Sequence, residues 1–141
     1  MSRKLIGIDT GVNTGVSIWN VSEGRFELIT STSILKAFEI IRAHKSYIEM
    51  VYVEDARQVK YKTSRYKAQG AGSVKRDCGI WEEFLAMEKI PSTFVRPQKA
   101  ITKIDAARFK RMTRWEGRTN EHGRDAAMLI YGRKGILTKH R

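Results

Sequence analysis

Apolar and polar residues alternate in three short stretches near the start of the chain. Residues 5–8 form an apolar run, and residues 16–19 and 25–29 alternate with the period of a strand. Glycines between positions 11 and 15, and the pair Glu23-Gly24, are typical of turns between these stretches. We therefore expect the chain to open as an antiparallel meander of three strands.

Helices and short apolar strands are predicted to alternate over the rest of the chain. Polar caps at residues 31–33 precede apolar residues at helical spacing up to about His44. An apolar strand at residues 50–53 then ends in Glu54 and Asp55. Residues 56–70 have no apolar periodicity, which indicates an exposed loop or the frayed start of a helix. The later elements are expected to be a helix around residues 80–89, a strand at 92–95 before Arg96-Pro97, a helix at 105–112 and a last helix from about residue 120.

The predicted order is β-β-β-α-β-α-β-α-α, which favours an α/β fold with helices on both faces of the sheet. The two later strands are short and apolar, as buried strands of such a sheet require. The chain has 141 residues, of which 41% are hydrophobic. This size predicts a single domain spanning residues 1–141.

Charge points to a polyanionic partner. Lys and Arg number 27 against 15 Asp and Glu, so the formal net charge is +12. Nucleic acid is the first candidate, and a ribosomal protein or a merely basic surface is the alternative. Cys78 is the single cysteine, which excludes an internal disulfide and a zinc knuckle, and we expect it to be half-buried. No apolar run is long enough to span a membrane, so we expect a soluble, cytoplasmic protein.

Four residues that are far apart in sequence are expected to meet at one edge of the sheet. Asp9 ends the first strand and Glu54 ends the fourth, and the carboxyl ends of neighbouring parallel strands form the usual ligand edge of α/β folds. His122 and Asp125 are three residues apart and so lie on one face of the last helix.

Converging carboxylates repel one another unless a cation lies between them. A site dominated by oxygen ligands suits Mg²⁺ or Mn²⁺, and two such ions can activate a water and stabilise a leaving 3′ oxygen. Each residue also has a structural interpretation: Asp9 as a turn cap, Glu54 as half of a surface ion pair and His122 as a surface residue near a helix start. Asp125 precedes an apolar helix face, so of the four residues it is the one least readily explained as a solvated surface charge.

Three motifs resemble those of the RuvC-type Holliday junction resolvases of the RNase H-like superfamily. They are residues 6–17, which contain Asp9, residues 51–54, which deliver Glu54, and residues 122–127, which contain His122 and Asp125. The resemblance implies an RNase H-like fold with a mixed five-stranded sheet. It also implies a Mg²⁺-dependent endonuclease, with Mn²⁺ as a substitute, that cuts branched DNA such as four-way junctions as a homodimer. The chain is shorter than the cellular resolvases and lacks their glycine-containing stretch in residues 96–105, so it looks more like a phage or mobile-element form.

A basic segment with aromatic residues follows Glu54. Its expected DNA contacts are Arg57, Lys60, Tyr61, Lys62, Arg65, Tyr66, Lys67, Lys75 and Arg76. Cations neutralise phosphates and tyrosines stack on unpaired bases. The resemblance implies that this loop enters the junction, with Lys99 and Lys103 as further basic contacts; a solvated loop is the alternative. A second, weaker contact surface is predicted at Arg108, Lys110, Arg111, Arg114 and Arg118.

Three other functions remain open from the sequence. One is an ATP-binding domain of the actin and sugar-kinase type, although such proteins need two lobes. Another is a RuvX/YqgF-like nuclease that acts on ribosomal RNA precursors, against which the long basic segment argues. The third is a non-catalytic nucleic-acid-binding module, which the four candidate metal ligands disfavour.

Overall fold

The computed structural model describes residues 3–58, 71–97 and 104–131 together with Arg133. Nine helices and strands occur in these ranges, in the predicted order, with 3₁₀ turns at Lys45–Tyr47 and Ala56–Gln58. They are β1 (Lys4–Asp9), β2 (Thr14–Asn20), β3 (Arg25–Thr32), α1 (Ile34–His44), β4 (Ile48–Glu54), α2 (Ala71–Met87), β5 (Ser92–Val95), α3 (Ala106–Thr113) and α4 (Glu121–Tyr131).

The strands form one mixed sheet in the order β3-β2-β1-β4-β5. The meander β1-β2-β3 is antiparallel, whereas β1 pairs with β4, and β4 with β5, in parallel. This confirms the predicted mixed five-stranded sheet. β1 and β4 are the central strands of the sheet. Because they are parallel neighbours, their carboxyl ends lie next to each other.

Helices cover both faces of the sheet and create two hydrophobic cores. Ile6 and Ile8 of β1 pack toward α1 and α2, in a core whose largest buried side chain is Trp81. Leu5, one position out of phase, packs on the other face with Phe109 of α3 and residues of α4. Alternate residues of a strand point to opposite faces, and both faces of β1 are covered. This explains why residues 5–8 of β1 include no polar side chain.

Two sequence predictions near the site were wrong in detail. Gly15 was placed in a turn, but it lies in β2 and pairs with Asp9 in the ladder. The second helix begins at Ala71 and not near Ile80, so Lys75 and Arg76 lie within α2 instead of in a loop. The first turns of α2 are mostly exposed and carry no apolar stripe from which a helix could be predicted.

Two further features complete the framework. Ser33 caps α1 by accepting a hydrogen bond from the Lys36 amide, as the polar residues at 31–33 predicted. Cys78 is fully buried, not half-buried, because its side of α2 faces the end of β1, where its sulfur lies 3.8 Å from the Thr10 hydroxyl. Over the described part of the chain, every helix is too short or too polar to cross a membrane.

Candidate active site

Asp9 and Glu54 stand side by side at the carboxyl edge of the sheet. They are the last residues of the parallel strands β1 and β4 and are partners in the ladder. The Asp9 side chain is 13% exposed, and Glu54 is also partly buried. The strand register thus fixes two carboxylates at adjacent positions where little water reaches them.

Helix α4 lies directly on β1 and β2 because two glycines leave room for it. A Cβ at Gly7 would collide with the Ala126 carbonyl, and one at Gly15 would collide with the His122 carbonyl. The Ser17 hydroxyl donates a buried hydrogen bond of 2.9 Å to the Ala126 carbonyl. These contacts hold the first turns of α4 against the end of β1.

The helix brings His122 to Asp9. The His122 Nδ1 atom lies 3.2 Å from Asp9 Oδ2, and the imidazole is 44% exposed. Asn120 accepts a 2.8 Å hydrogen bond from the Gly123 amide, which caps the start of α4. Asp125 lies one turn further along the same helix and adds negative charge next to both strand-end carboxylates.

Burial and mutual repulsion raise the pKa values of both strand-end carboxyl groups. The pKa of Asp9 rises from 3.8 to about 6 because of its burial, an effect that the hydrogen bond with His122 opposes and the charge of Asp125 reinforces. The pKa of Glu54 rises from 4.5 to about 7 because of its burial and the charges of Asp9 and Asp125. Without a counter-charge, burial and mutual repulsion thus make both groups harder to ionise than in water, Glu54 more so than Asp9.

A cation fits this donor set. Glu54 Oε2 is buried and has no hydrogen-bond partner in the part of the chain that the structure describes. Buried carboxylate oxygens are normally paired or bound to a metal. The oxygens of Asp9, Glu54 and Asp125, with one imidazole nitrogen, are ligand types suited to Mg²⁺ or Mn²⁺.

The side chains are adjacent but do not form a ready-made metal cage. Among the residues that the structure describes, no group of three or more His, Cys, Asp or Glu side chains has the spacing of a metal site. His122 is instead engaged with Asp9, while Glu54 Oε2 is left unpaired. Binding of a cation would therefore require side-chain rotations that draw these groups together.

Comparison with solved structures finds a neighbour that matches over nearly the full length of the chain. T. thermophilus RuvC, determined in complex with a Holliday junction substrate, superposes with a TM-score of 0.66 over 96% of this chain and 97% of that chain. The chain has a RuvC-like fold. Sequence identity is 14%, so this likeness concerns the fold alone. No protein-family model and no curated protein matches the sequence.

The RuvC-like fold confirms the fold class predicted from the three motifs. It also accounts for the positions of the four candidate ligands, since β1, β4 and α4 each deliver part of the set to the same edge. Their roles as metal ligands stay predictions.

Few of the predicted DNA-contacting residues fall in the described part of the RuvC-like fold. Arg57 is engaged by the buried Asp55, with Nε 2.7 Å from Oδ1, and approaches Glu82 at 3.4 Å. Arg57 therefore stabilises the turn that follows β4 and is not free to bind a phosphate. Lys75 and Arg76 are exposed on α2. The other predicted contacts lie outside the described residues: Lys60, Tyr61, Lys62, Arg65, Tyr66, Lys67, Lys99 and Lys103.

Sequence reasoning missed the residues that set the position of α4 in the RuvC-like fold. Gly7, Gly15 and Ser17 carry no metal-binding group, yet they determine how closely His122 and Asp125 approach β1. A signal was present, because a glycine inside a strand often marks the close approach of another backbone. Gly7 lies inside the predicted first strand and so had this signal. Gly15 did not, because it was predicted to lie in a turn.

Proposed function

We propose that this protein is a Mg²⁺-dependent endonuclease that cuts branched DNA. The observation that carries the proposal is the unpaired, buried Glu54 Oε2 beside Asp9, since this arrangement calls for a bound cation. The RuvC-like fold supports the choice of reaction, because a protein of that fold was solved with a Holliday junction substrate.

In this proposal Asp9, Glu54 and Asp125 hold the cation and His122 completes the set. Mg²⁺ or Mn²⁺, as one ion or two, supplies activation of a water nucleophile and stabilisation of charge on the leaving oxygen. Asp9 orients the His122 ring through their 3.2 Å contact. Glu54 and Asp9 must both be ionised to act as ligands, so the cation has to offset the burial that raises their pKa values.

The substrate assignment rests on charge and on the expected basic segment. A net charge of +12 favours a phosphodiester polymer over a small nucleotide. The cations among residues 60–67 would supply phosphate contacts, and Tyr61 and Tyr66 would stack at a branch point. Symmetric cutting of a four-way junction needs two related sites, so we expect a homodimer.

The test is cleavage of three labelled substrates of matched sequence: a four-way junction, a linear DNA duplex and a structured RNA. The proposal predicts that junction cleavage is fastest, needs Mg²⁺ or Mn²⁺ and stops in EDTA. Faster cleavage of RNA would favour a ribosomal-RNA-type nuclease. Tight junction binding without cleavage in either metal would favour a binding module. As a control, the exposed Glu83 on α2 can be changed to Gln, which should leave cleavage unchanged.

A further inference from the structure

An open cleft lies between α3 and the chain that follows it. Its volume is about 360 Å³, within the range of small-molecule sites, and its lining residues come from the start of α3 and from residues 115–119. α3 ends at Thr113, and the capping residue Arg114 adopts the left-handed conformation at φ 62°. This reversal brings Trp115 back beside α3, so that the cleft has an aromatic wall.

The surroundings of the cleft carry unpaired positive charge. The exposed basic residues of α3 and the following chain are Arg108, Lys110, Arg111, Arg114 and Arg118, of which Lys110 and Arg118 line the cleft. None of the five pairs with a carboxylate among the residues that the structure describes. By contrast, Arg3, Arg42 and Arg57 each lie within 3.3 Å of a carboxylate oxygen. Glu116 is the acidic residue in the lining, so the cleft as a whole favours an anion.

Trp115 adds its indole ring to this wall. Its indole Nε1 is shielded from solvent and has no hydrogen-bond partner among the described residues. Gly117 packs against that edge, where an added Cβ would come within 2.9 Å of Nε1. Because Nε1 is closed off from solvent, Trp115 contributes its aromatic ring, and not this donor, to the lining of the cleft.

The cleft is connected to the candidate active site through α4. The Arg124 guanidinium donates to the carbonyl of Ile104, just before α3, and to the carbonyl and hydroxyl of Thr119. Thr119 lines the cleft, and the next residue, Asn120, caps the helix that carries His122. The cleft therefore lies beside the start of the helix that carries His122.

We propose that this cleft binds one nucleotide of a DNA strand next to the cleavage site. Lys110 and Arg118 receive the phosphate, and Trp115 receives the base, as aromatic residues do in single-strand binding sites. The inference rests on the proposed function for its choice of DNA, but the binding itself needs neither the metal nor cleavage.

The test is titration of the full chain with a single-stranded oligodeoxynucleotide in EDTA. Trp19 is 6% exposed and Trp81 is fully buried, so a DNA-dependent fall in tryptophan fluorescence should come from the partly exposed Trp115. The variant Trp115→Phe should lose that quenching. Changing both Lys110 and Arg118 to Ala should remove one phosphate contact and so reduce the slope of log affinity against log salt by about 0.7, the value for one phosphate on a single strand. Lys36→Ala, an exposed cation on the opposite helical layer, is the matched control and should change the slope less.

Three results would overturn the proposal. They are equal quenching in Trp115→Phe, a salt slope that falls no more in the double variant than in Lys36→Ala, and tighter binding of an oligoribonucleotide of the same sequence. If Trp115→Phe does not fold, the salt slope of the double variant is the deciding measurement. Lys110 and Arg118 are both exposed, so replacing them should not prevent folding. Since no cleavage is measured, the outcome of this titration does not depend on whether the nuclease proposal holds.

Discussion

Replacing Glu54 with glutamine should make the metal-free protein more stable at alkaline pH. Glu54 is partly buried, its Oε2 has no hydrogen-bond partner among the described residues, and its pKa is raised from 4.5 to about 7. Between these two pH values the folded chain holds a proton that the unfolded chain has released. The free energy of unfolding of the wild-type protein therefore falls as the pH rises through this window.

The size of the effect follows from the pKa values. At about 1.4 kcal/mol per pKa unit, ionised Glu54 costs the fold about 3 kcal/mol at about pH 8 and less than about 1 kcal/mol at about pH 5. A buried amide with unmet hydrogen bonds costs about 1 kcal/mol itself. We thus expect Glu54→Gln to gain about 2 kcal/mol at about pH 8, or about 5 °C in melting temperature.

The assay is thermal unfolding of wild type, Glu54→Gln and the control Glu83→Gln from about pH 5 to pH 8.5, in EDTA and in Mg²⁺. Bound cation should stabilise the wild type by about 2.7 kcal/mol at a concentration one hundred times its Kd, and should stabilise Glu54→Gln much less. The reasoning is refuted if Glu54→Gln is no more stable than wild type at about pH 8 in EDTA. It is also refuted if the difference between them does not grow with pH.

Three further substitutions test the framework around the site. Gly15→Ala drives a Cβ into the His122 carbonyl, so cleavage should fall at least tenfold and stability by about 1–3 kcal/mol; wild-type rates would mean that the position of α4 is unimportant. Lys89→Gly removes a left-handed lysine at φ 57° and should raise stability in urea unfolding by about 1 kcal/mol, without affecting cleavage; a loss of stability would contradict this. His122→Ala removes the hydrogen bond that lowers the Asp9 pKa, so the acid limb of the cleavage rate should move to higher pH, and an unmoved limb would remove His122 from the site.

The sheet and its two strand-end carboxylates were predictable because burial leaves a clear pattern. β1 and β4 are covered on both faces, so they are continuous apolar runs, and the charged residue that ends each run stands out. Asp9 and Glu54 were identified in this way, and their ladder pairing follows from the parallel arrangement. The order of the elements followed from the same patterning.

Features that depend on contacts between distant residues could not be predicted from local patterns. The first turns of α2, before Asp77 and Cys78, are mostly exposed and have no apolar stripe, so no apolar pattern marks the helix start at Ala71. The left-handed turn at Arg114, which creates the cleft beside Trp115, occurs at a residue type that rarely adopts it. Likewise, nothing near Arg57 in the sequence distinguishes a cation held by Asp55 from one that is free to meet DNA.

The most direct test of the proposed function is cleavage of a labelled four-way junction by wild type and Asp9→Asn, with junction binding measured in parallel in EDTA. The account predicts that wild type nicks the junction in Mg²⁺ and not in EDTA. It also predicts that Asp9→Asn binds the junction as tightly as wild type or more tightly, because a negative charge facing phosphates is lost, but cuts at least a hundredfold more slowly. Cleavage by wild type in EDTA, or wild-type rates in Asp9→Asn, would contradict it.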